Sequence, residues 1–311
     1  MKQTIFTFLL LSVIIISCRK DKLQSTIQQQ DQTAIQNYIT ANGITGMVRD
    51  TFGNDTTGIY YKINLPGSGP ALAYSDSIAF VYSLKTFDNT YEQPDTIYNH
   101  YAGYVGHITN SGLPSGVQLA IHDVMKYGGA SMRLLIPSRM AYGINGTGSG
   151  SSQVANNRIQ GNECLDYYVH SIRPAEQPAY DDIVIQNYMK NQGLTGYTKT
   201  ATGLYYKILT AGTGTDPITF NSTITDTHTG QLLDAKLIDS AYNGVNYATD
   251  VISGFIEPGI VEGLENYSTV GTKISLIFPS GLGYGNVSGA SGLAPPNSCL
   301  RYTWQIITVT P

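Results

Sequence analysis

Hydrophobic and polar positions change period several times along the chain, and the clearest run lies near its C-terminal end. Pro258 suits the first turn of a helix, where its missing N–H breaks no bond. Ile260, Val261, Leu264 and Tyr267 follow at helical spacing and give one apolar face, which Gly271 ends. Lys273–Phe278 alternates and is rich in Ile, Leu and Phe, which predicts a half-buried strand stopped by Pro279. A Gly-rich loop then holds Tyr284, and Pro295-Pro296 leads into a last strand, Leu300–Val309. A short helix crossing one face of an antiparallel sheet, beneath a loop rimmed by Tyr and Leu, makes a small apolar slot.

The same pattern occurs twice. AIQNYITANGITG (Ala34–Gly46) returns as VIQNYMKNQGLTG (Val184–Gly196), and GIYYKI (Gly58–Ile63) returns as GLYYKI (Gly203–Ile208). IPSRMAYG (Ile136–Gly143) returns as FPSGLGYG (Phe278–Gly285), and NECL and NSCL close the two copies. A period near 140 residues is far longer than a solenoid unit of about 20–50 residues and points to a duplicated domain. Each copy opens with a helix. In the second, Asp182 is the expected cap, Val184, Ile185, Tyr188 and Met189 form a stripe that packs on the same copy's sheet, and Gly193 stops it. Short β segments with Gly- and Pro-rich turns follow, so the fold class is α+β, dominated by antiparallel sheet. The divisions expected are 1–18 signal, 19–30 polar tether, 31–173 first domain, 174–181 linker and 182–311 second domain.

Composition narrows the function. At 311 residues there is room for two domains, each with its own core. The net charge of −4 and 13% charged content argue against nucleic acid, which calls for a basic face. Lys2 precedes the apolar stretch Ile5–Ile16, too short for an ordinary membrane span, and Ser17-Cys18 follows. A small residue before Cys resembles a bacterial lipobox, which implies lipidation of Cys18 and a lipid-anchored protein of the cell envelope, on the outer membrane at its periplasmic or surface face. An ordinary cleaved signal peptide is the alternative. Cys164 and Cys299 sit at matching places and read as two buried free thiols. No His/Cys cluster has metal-ligand spacing, so no metal is expected, and no cofactor. His100 and His107, among several Tyr, read as an ordinary polar loop.

Five fragments in order carry a family resemblance. The piece from His228-Thr229-Gly230 through Leu237–Ser240 precedes IEPGI-x-EGL, then G-x-K-x-x-L, then GYG, then GLAPPNSCL. Over roughly Gly203–Val309 this resembles an FKBP-type peptidyl-prolyl isomerase domain. The resemblance implies two such domains, each a curved antiparallel sheet wrapped on a short helix, with an extra helix at the start of each copy. It implies action on Xaa-Pro segments of client proteins, with the second copy as the main site, in the folding of envelope proteins. Turning a peptide bond costs roughly 18–20 kcal/mol, and before proline the isomers differ by about 1 kcal/mol, so the catalyst needs no nucleophile or acid–base pair. It needs a slot that strips water from the amide.

By position, the resemblance assigns Tyr284 and the Glu257 N–H to substrate carbonyls. Ile256, Tyr247, Ile260, Leu293 and Tyr302 become apolar wall, and Asp239 a buried acid that orients neighbouring hydroxyls. Three positions depart from the family: the floor Trp is Ile260, the wall Phe is Ile238, and the wall Tyr is His228. Together they lower the activity expected and fit, as an alternative, a chaperone or peptide-holding module whose chemistry is lost. In the first copy Tyr82 keeps the wall Tyr, Tyr91 the wall aromatic and Tyr142 the loop Tyr. Val117 replaces the floor Trp, and Glu92 stands in for the acid.

Overall fold

The computed structural model describes residues 26–51, 57–94, 100–148, 158–241 and 248–311. Cys18 and the signal segment lie outside them, as does Tyr247. Among the described residues no helix is long and apolar enough to cross a membrane.

Helix α1 (Ile27–Ala41) starts at a capping box, in which the Thr26 hydroxyl accepts from the Gln29 N–H and Gln29 reaches back to the Thr26 N–H. The expected tether therefore ends before Ile27, since residues 27–30 are helical. Then come β1 (Val48–Arg49), β2 (Tyr60–Leu65), β3 (Ser77–Thr86), β4 (Glu92–Gln93) and β5 (His100–Tyr104). His100 is thus part of a strand rather than a loop, because Ser77–Val81 offers β5 a pairing edge. A short helix α2 (Ser115–Leu119) runs into a π-helical turn, Ala120–Met125. Strands β6 (Ser131–Ile136), β7 (Thr147–Gly148), β8 (Arg158–Ile159) and β9 (Leu165–Ser171) complete the first half.

The second half opens with α3 (Gln177–Asn191), five residues before the expected cap at Asp182. Pro178 causes the difference: in the first turn a proline starts a helix instead of interrupting it. The expected 174–181 linker is correspondingly shorter. Gly193 does stop the helix, at φ +61°. Next come β10 (Thr198–Lys199), β11 (Tyr205–Thr210), β12 (Thr223–Leu232), β13 (Leu237–Ala241), β14 (Ala248–Val251), α4 (Pro258–Tyr267), β15 (Lys273–Phe278) and β16 (Leu300–Thr310).

The architecture is α+β. Each half holds a seven-stranded antiparallel sheet, ordered β1-β2-β6-β9-β3-β4 with β5 on β3, and β10-β11-β15-β16-β12-β13 with β14 on β12. Strand for strand the two orders are the same. The first half alone adds a β7–β8 ribbon in its longer loop.

Each sheet is covered on both faces, which fixes what lines the slot. On one face Val184, Ile185 and Tyr188 of α3 pack with Tyr205 and Ile277 of the same half's sheet, as the stripe predicts. On the other face Ile260 and Leu264 of α4 pack with Ile274, Leu276, Phe278, Tyr302 and Trp304. Gly259 and Gly263, one turn apart, let α4 lie on β15. A Cβ at either would come within 2.6 Å of the Phe278 ring or the Leu276 side chain. Gly116 plays the same part against Ile136 in the first half, where a Cβ would meet that side chain at 2.7 Å.

A buried carboxylate holds each opening helix to the loop after β6 in the first half or β15 in the second. Asp181 accepts from the Ser280 hydroxyl (2.6 Å) and backbone N–H (2.9 Å). Asp31 accepts from Arg139 Nη1 at 3.2 Å. Both cysteines are free, as expected, and both sit under these clamps: Cys164 Sγ lies 3.5 Å from Asp31 Oδ1, and Cys299 Sγ 3.9 Å from the Asp181 carbonyl.

Candidate functional site

In the second half one cluster brings together Ile238, Ile260, Tyr302 and Trp304, with Tyr284 packed against it. Ile260 comes from the first turn of α4 and Ile238 from β13. Tyr302 and Trp304 face the same side of β16, two residues apart. Gly230, opposite Tyr302, lets that ring lie on the β12 backbone, since a Cβ there would stand 2.3 Å from it. Phe278 stacks on Tyr302 with centroids 5.9 Å apart. Ile256 is 74% exposed and Leu293 43%, so both form rim and not inner wall.

Polar groups stand around this apolar floor. Glu257 caps α4, and its carbonyl accepts from the Ile260 N–H at 3.0 Å. Its side chain is buried, and its carboxylate acts on the Tyr284 phenol. Burial first, and that carboxylate second, raise the Tyr284 phenol above its ordinary range. Burial likewise raises Tyr302, with the Tyr284 and Asp239 charges adding to it.

Asp239 differs from expectation. Its side chain is 47% exposed, because it stands on the short edge strand β13 beside the register shift at Gly230/Gln231. Among the described residues it stands beside an imidazole: His228 Nε2 lies 3.3 Å from Asp239 Oδ2. The other ring nitrogen, Nδ1, lies 2.8 Å from Asp226 Oδ1 and 4.0 Å from Asp250 Oδ2. Burial opposes a charge on His228, but the hydrogen bonds to Asp226 and Asp239 outweigh it and lift its pKa to about 9. Asp239 is held below the usual carboxylate range, chiefly by the His228 hydrogen bond. Burial pushes Asp226 up.

Asp226, Asp250 and Trp304 escaped the sequence reading. Asp226 and His228 are two apart on one strand, a spacing that already puts them on one face. Asp250 needs the register: it pairs with Ile224, and so sits diagonally from Asp226, which pairs with Ala248.

In the first half the expected residues converge too. Tyr82, Tyr91 and Tyr142 pack against a core holding the buried Val117. Tyr167, unforeseen, completes the group, 5.9 Å from Tyr82 between ring centroids. It lies three residues after Cys164, as Tyr302 lies three after Cys299, so the repeat could have found it. Burial, with Tyr142 and Tyr91 nearby, raises Tyr82 to about 12. Glu92 is exposed and pairs with Lys85, while Gln93 stands opposite Leu84, the place that Asp239 takes opposite Gly230. Glu92 therefore does not stand in for the acid.

Comparison with known proteins bears on the second half. Residues 216–307 match the model of the FKBP-type peptidyl-prolyl cis-trans isomerase family. The chain is 35% identical over 116 residues to the FKBP-type peptidyl-prolyl cis-trans isomerase FkpA of Escherichia coli (strain K12), covering 37% of this chain and 41% of that protein. It is 33% identical over 119 residues to the peptidyl-prolyl cis-trans isomerase Mip of Coxiella burnetii, covering 38% and 50%. It is 34% identical over 121 residues to the outer membrane protein MIP of Legionella longbeachae, covering 38% and 49%. The chain thus spans half or less of the length of these curated relatives. The crystal structure of Escherichia coli FkpA aligns at 29% identity with a TM-score of 0.37, covering 44% of this chain and 63% of that one. Residues 216–307, with the sheet, the crossing helix and the Tyr284 loop described above, belong to the FKBP-type peptidyl-prolyl cis-trans isomerase family.

Proposed function

We propose that the chain is a peptidyl-prolyl cis-trans isomerase acting on Xaa-Pro segments of cell-envelope proteins, with its main site in the second half. The supporting observation is the convergence of Ile238, Ile260, Tyr302 and Tyr284 on one apolar cluster whose rim, Ile256 and Leu293, is exposed. A proline ring seated there leaves water behind. Loss of solvent hydrogen bonds favours the twisted amide, whose nitrogen is less conjugated and whose resonance is already broken. The Tyr284 phenol donates to a substrate carbonyl, and the Glu257 N–H at the entry of α4 binds another. Asp239 holds the His228 wall in place. In the first half Tyr82, Tyr91, Tyr142 and Val117 form a second, divergent slot of the same design.

The test is isomerisation of a short Xaa-Pro peptide by the chain and by Tyr284→Phe. Rates above buffer that fall in the variant support the reading, and a wild type no faster than buffer overturns it. The buried floor favours a second reading: Tyr302 and Trp304 are wholly covered. A peptide-holding module would suppress aggregation of an unfolded client equally well with Tyr284→Phe.

The two halves are, in this proposal, copies of one domain spanning about 27–172 and 177–311, and their equal strand orders support it. Cys18 is the lipid attachment point. Cys18→Ser should release the chain from the membrane fraction, and retention there would remove the anchor from the account.

A further inference from the structure

We propose that Asp226, His228 and Asp250 bind one divalent first-row transition ion, a site independent of the isomerase reading. Three observations support it. The ligand atoms of the three side chains lie within 4.8 Å of one another. Asp226 is 0% exposed, yet its Oδ2 has no hydrogen-bond donor among the described residues, and neither has Asp250 Oδ2. Two carboxylate oxygens without donors have only the single charge of the His228 ring to balance them, and a divalent ion in place of its proton supplies the donorless oxygens with a partner.

The third observation is the far side of the imidazole. His228 Nε2 faces Asp239 Oδ2 at 3.3 Å. A histidine that ligates through one nitrogen commonly donates its other N–H to a carboxylate, which fixes the tautomer and turns the lone pair toward the ion. Asp239 does this here and leaves Nδ1 facing Asp226 and Asp250. Trp304, with its ring centroid 4.1 Å from that of His228, holds the ring's plane.

The donor set names the class of ion. One imidazole and two carboxylates suit Zn²⁺, Co²⁺ or Mn²⁺, whereas Mg²⁺ and Ca²⁺ favour all-oxygen sites. The ion replaces the proton shared between Nδ1 and Asp226 Oδ1, and that proton leaves to solvent. Ligand atoms around a tetrahedral ion stand about 3.4 Å apart, so the 2.8 Å Nδ1–Asp226 gap opens slightly and the 4.0 Å Nδ1–Asp250 gap closes. Asp250, on the short strand β14 and 29% exposed, has room to make that adjustment.

The experiment titrates the purified chain with Zn²⁺ against a chromophoric chelator and with Co²⁺ as an absorbing probe. One tight equivalent is expected. Asp250→Asn and His228→Gln should each weaken it at least tenfold and abolish the Co²⁺ ligand-field bands, and Asp239→Asn should weaken it about 10- to 100-fold while leaving the stoichiometry. Asp250→Asn, at the more exposed position, keeps the test open should His228→Gln fail to fold. No tight equivalent in the wild type would overturn the site, leaving Asp226 and Asp250 to share a proton. Tight binding undiminished in Asp250→Asn would also overturn it, since the ion would then sit elsewhere.

Discussion

At matching places in the two sheets, Phe80, Tyr82, Tyr167 and Val169 of the first half stand where Asp226, His228, Tyr302 and Trp304 stand in the second. The frame is common: the same strand order, a short helix on one face, and an opening helix on the other. The wall is not. In the first half it is aromatic, with Phe80 and Tyr82 6.1 Å apart and Tyr82 and Tyr167 5.9 Å apart, pairs worth about 0.5–1.5 kcal/mol each beyond their burial. In the second it is ionic, built on Asp226, His228, Asp239 and Asp250. A sheet of this kind tolerates a complete change of chemistry on one strand face because backbone pairing, and not the wall, holds it together.

The clamps give the largest effect with which to probe that claim. Asp31→Ala removes a carboxylate paired with the Arg139 guanidinium, and Asp181→Ala strips the Ser280 hydroxyl and N–H of their acceptor. Breaking a buried charged pair by removing one partner costs about 3–5 kcal/mol, and orphaning neutral donors about 1–3 kcal/mol. Because Arg139 is partly exposed, about 3 kcal/mol is expected for Asp31→Ala and about 2 kcal/mol for Asp181→Ala, measured by urea unfolding. Equal costs would mean that the two clamps work by the same means.

Gly230 separates the halves next. Leu84 stands at the matching place, opposite Tyr167, which stacks on Tyr82. Gly230→Ala pushes a Cβ into the Tyr302 ring, and overpacking of this kind costs about 1–3 kcal/mol. We expect about 2 kcal/mol from the denaturation midpoint, together with displacement of Tyr302 from Phe278. A neutral Gly230→Ala would show that Tyr302 is free to adopt the first-half arrangement.

If the proposed isomerase site lies in the second half, substitutions there should cost up to about one order of magnitude more activity than in the first. Tyr284→Phe removes a hydrogen bond to substrate worth about 0.5–1.5 kcal/mol, so kcat/KM should fall roughly twofold to twelvefold. Tyr142→Phe, in the half outside the family match, should change it less than twofold. The reverse order in a peptide isomerisation assay would move the main site to the first half.

Which of these features the sequence disclosed depends on the distance over which each is encoded. Strand Lys273–Phe278 and the helix at Pro258 were legible because alternation, a first-turn proline and a stopping glycine are local signals. Pro178 was misjudged because a proline between two domains suits a linker as well as a first helical turn, and only the packing of Val184, Ile185 and Tyr188 on the sheet decides. Tyr167 was legible in principle through the NECL and NSCL repeat. The Asp226–Asp250 contact was not, since it arises from a diagonal across two strands 24 residues apart, and register is not written in either strand alone. Asp239 followed its motif in position but not in burial, which the edge strand determines.

The cysteines offer the smallest effect and the finest contrast. Burial first, and the Asp31 carboxylate second, push the Cys164 thiol up to about 12, and burial holds Cys299 well above its ordinary range. An exposed thiol titrates near 8.5, so at pH 8 both should resist iodoacetamide in the folded chain and react once it is unfolded, each site followed by mass spectrometry. The halves then part. Cys164 points at a side-chain carboxylate, whereas Cys299 points at a backbone carbonyl that no substitution removes. Asp31→Asn should therefore speed alkylation of Cys164 by a few-fold and leave Cys299 as slow as before. If both speed up together, the substitution has loosened the fold as a whole, and the opening helices of the two halves are not held independently.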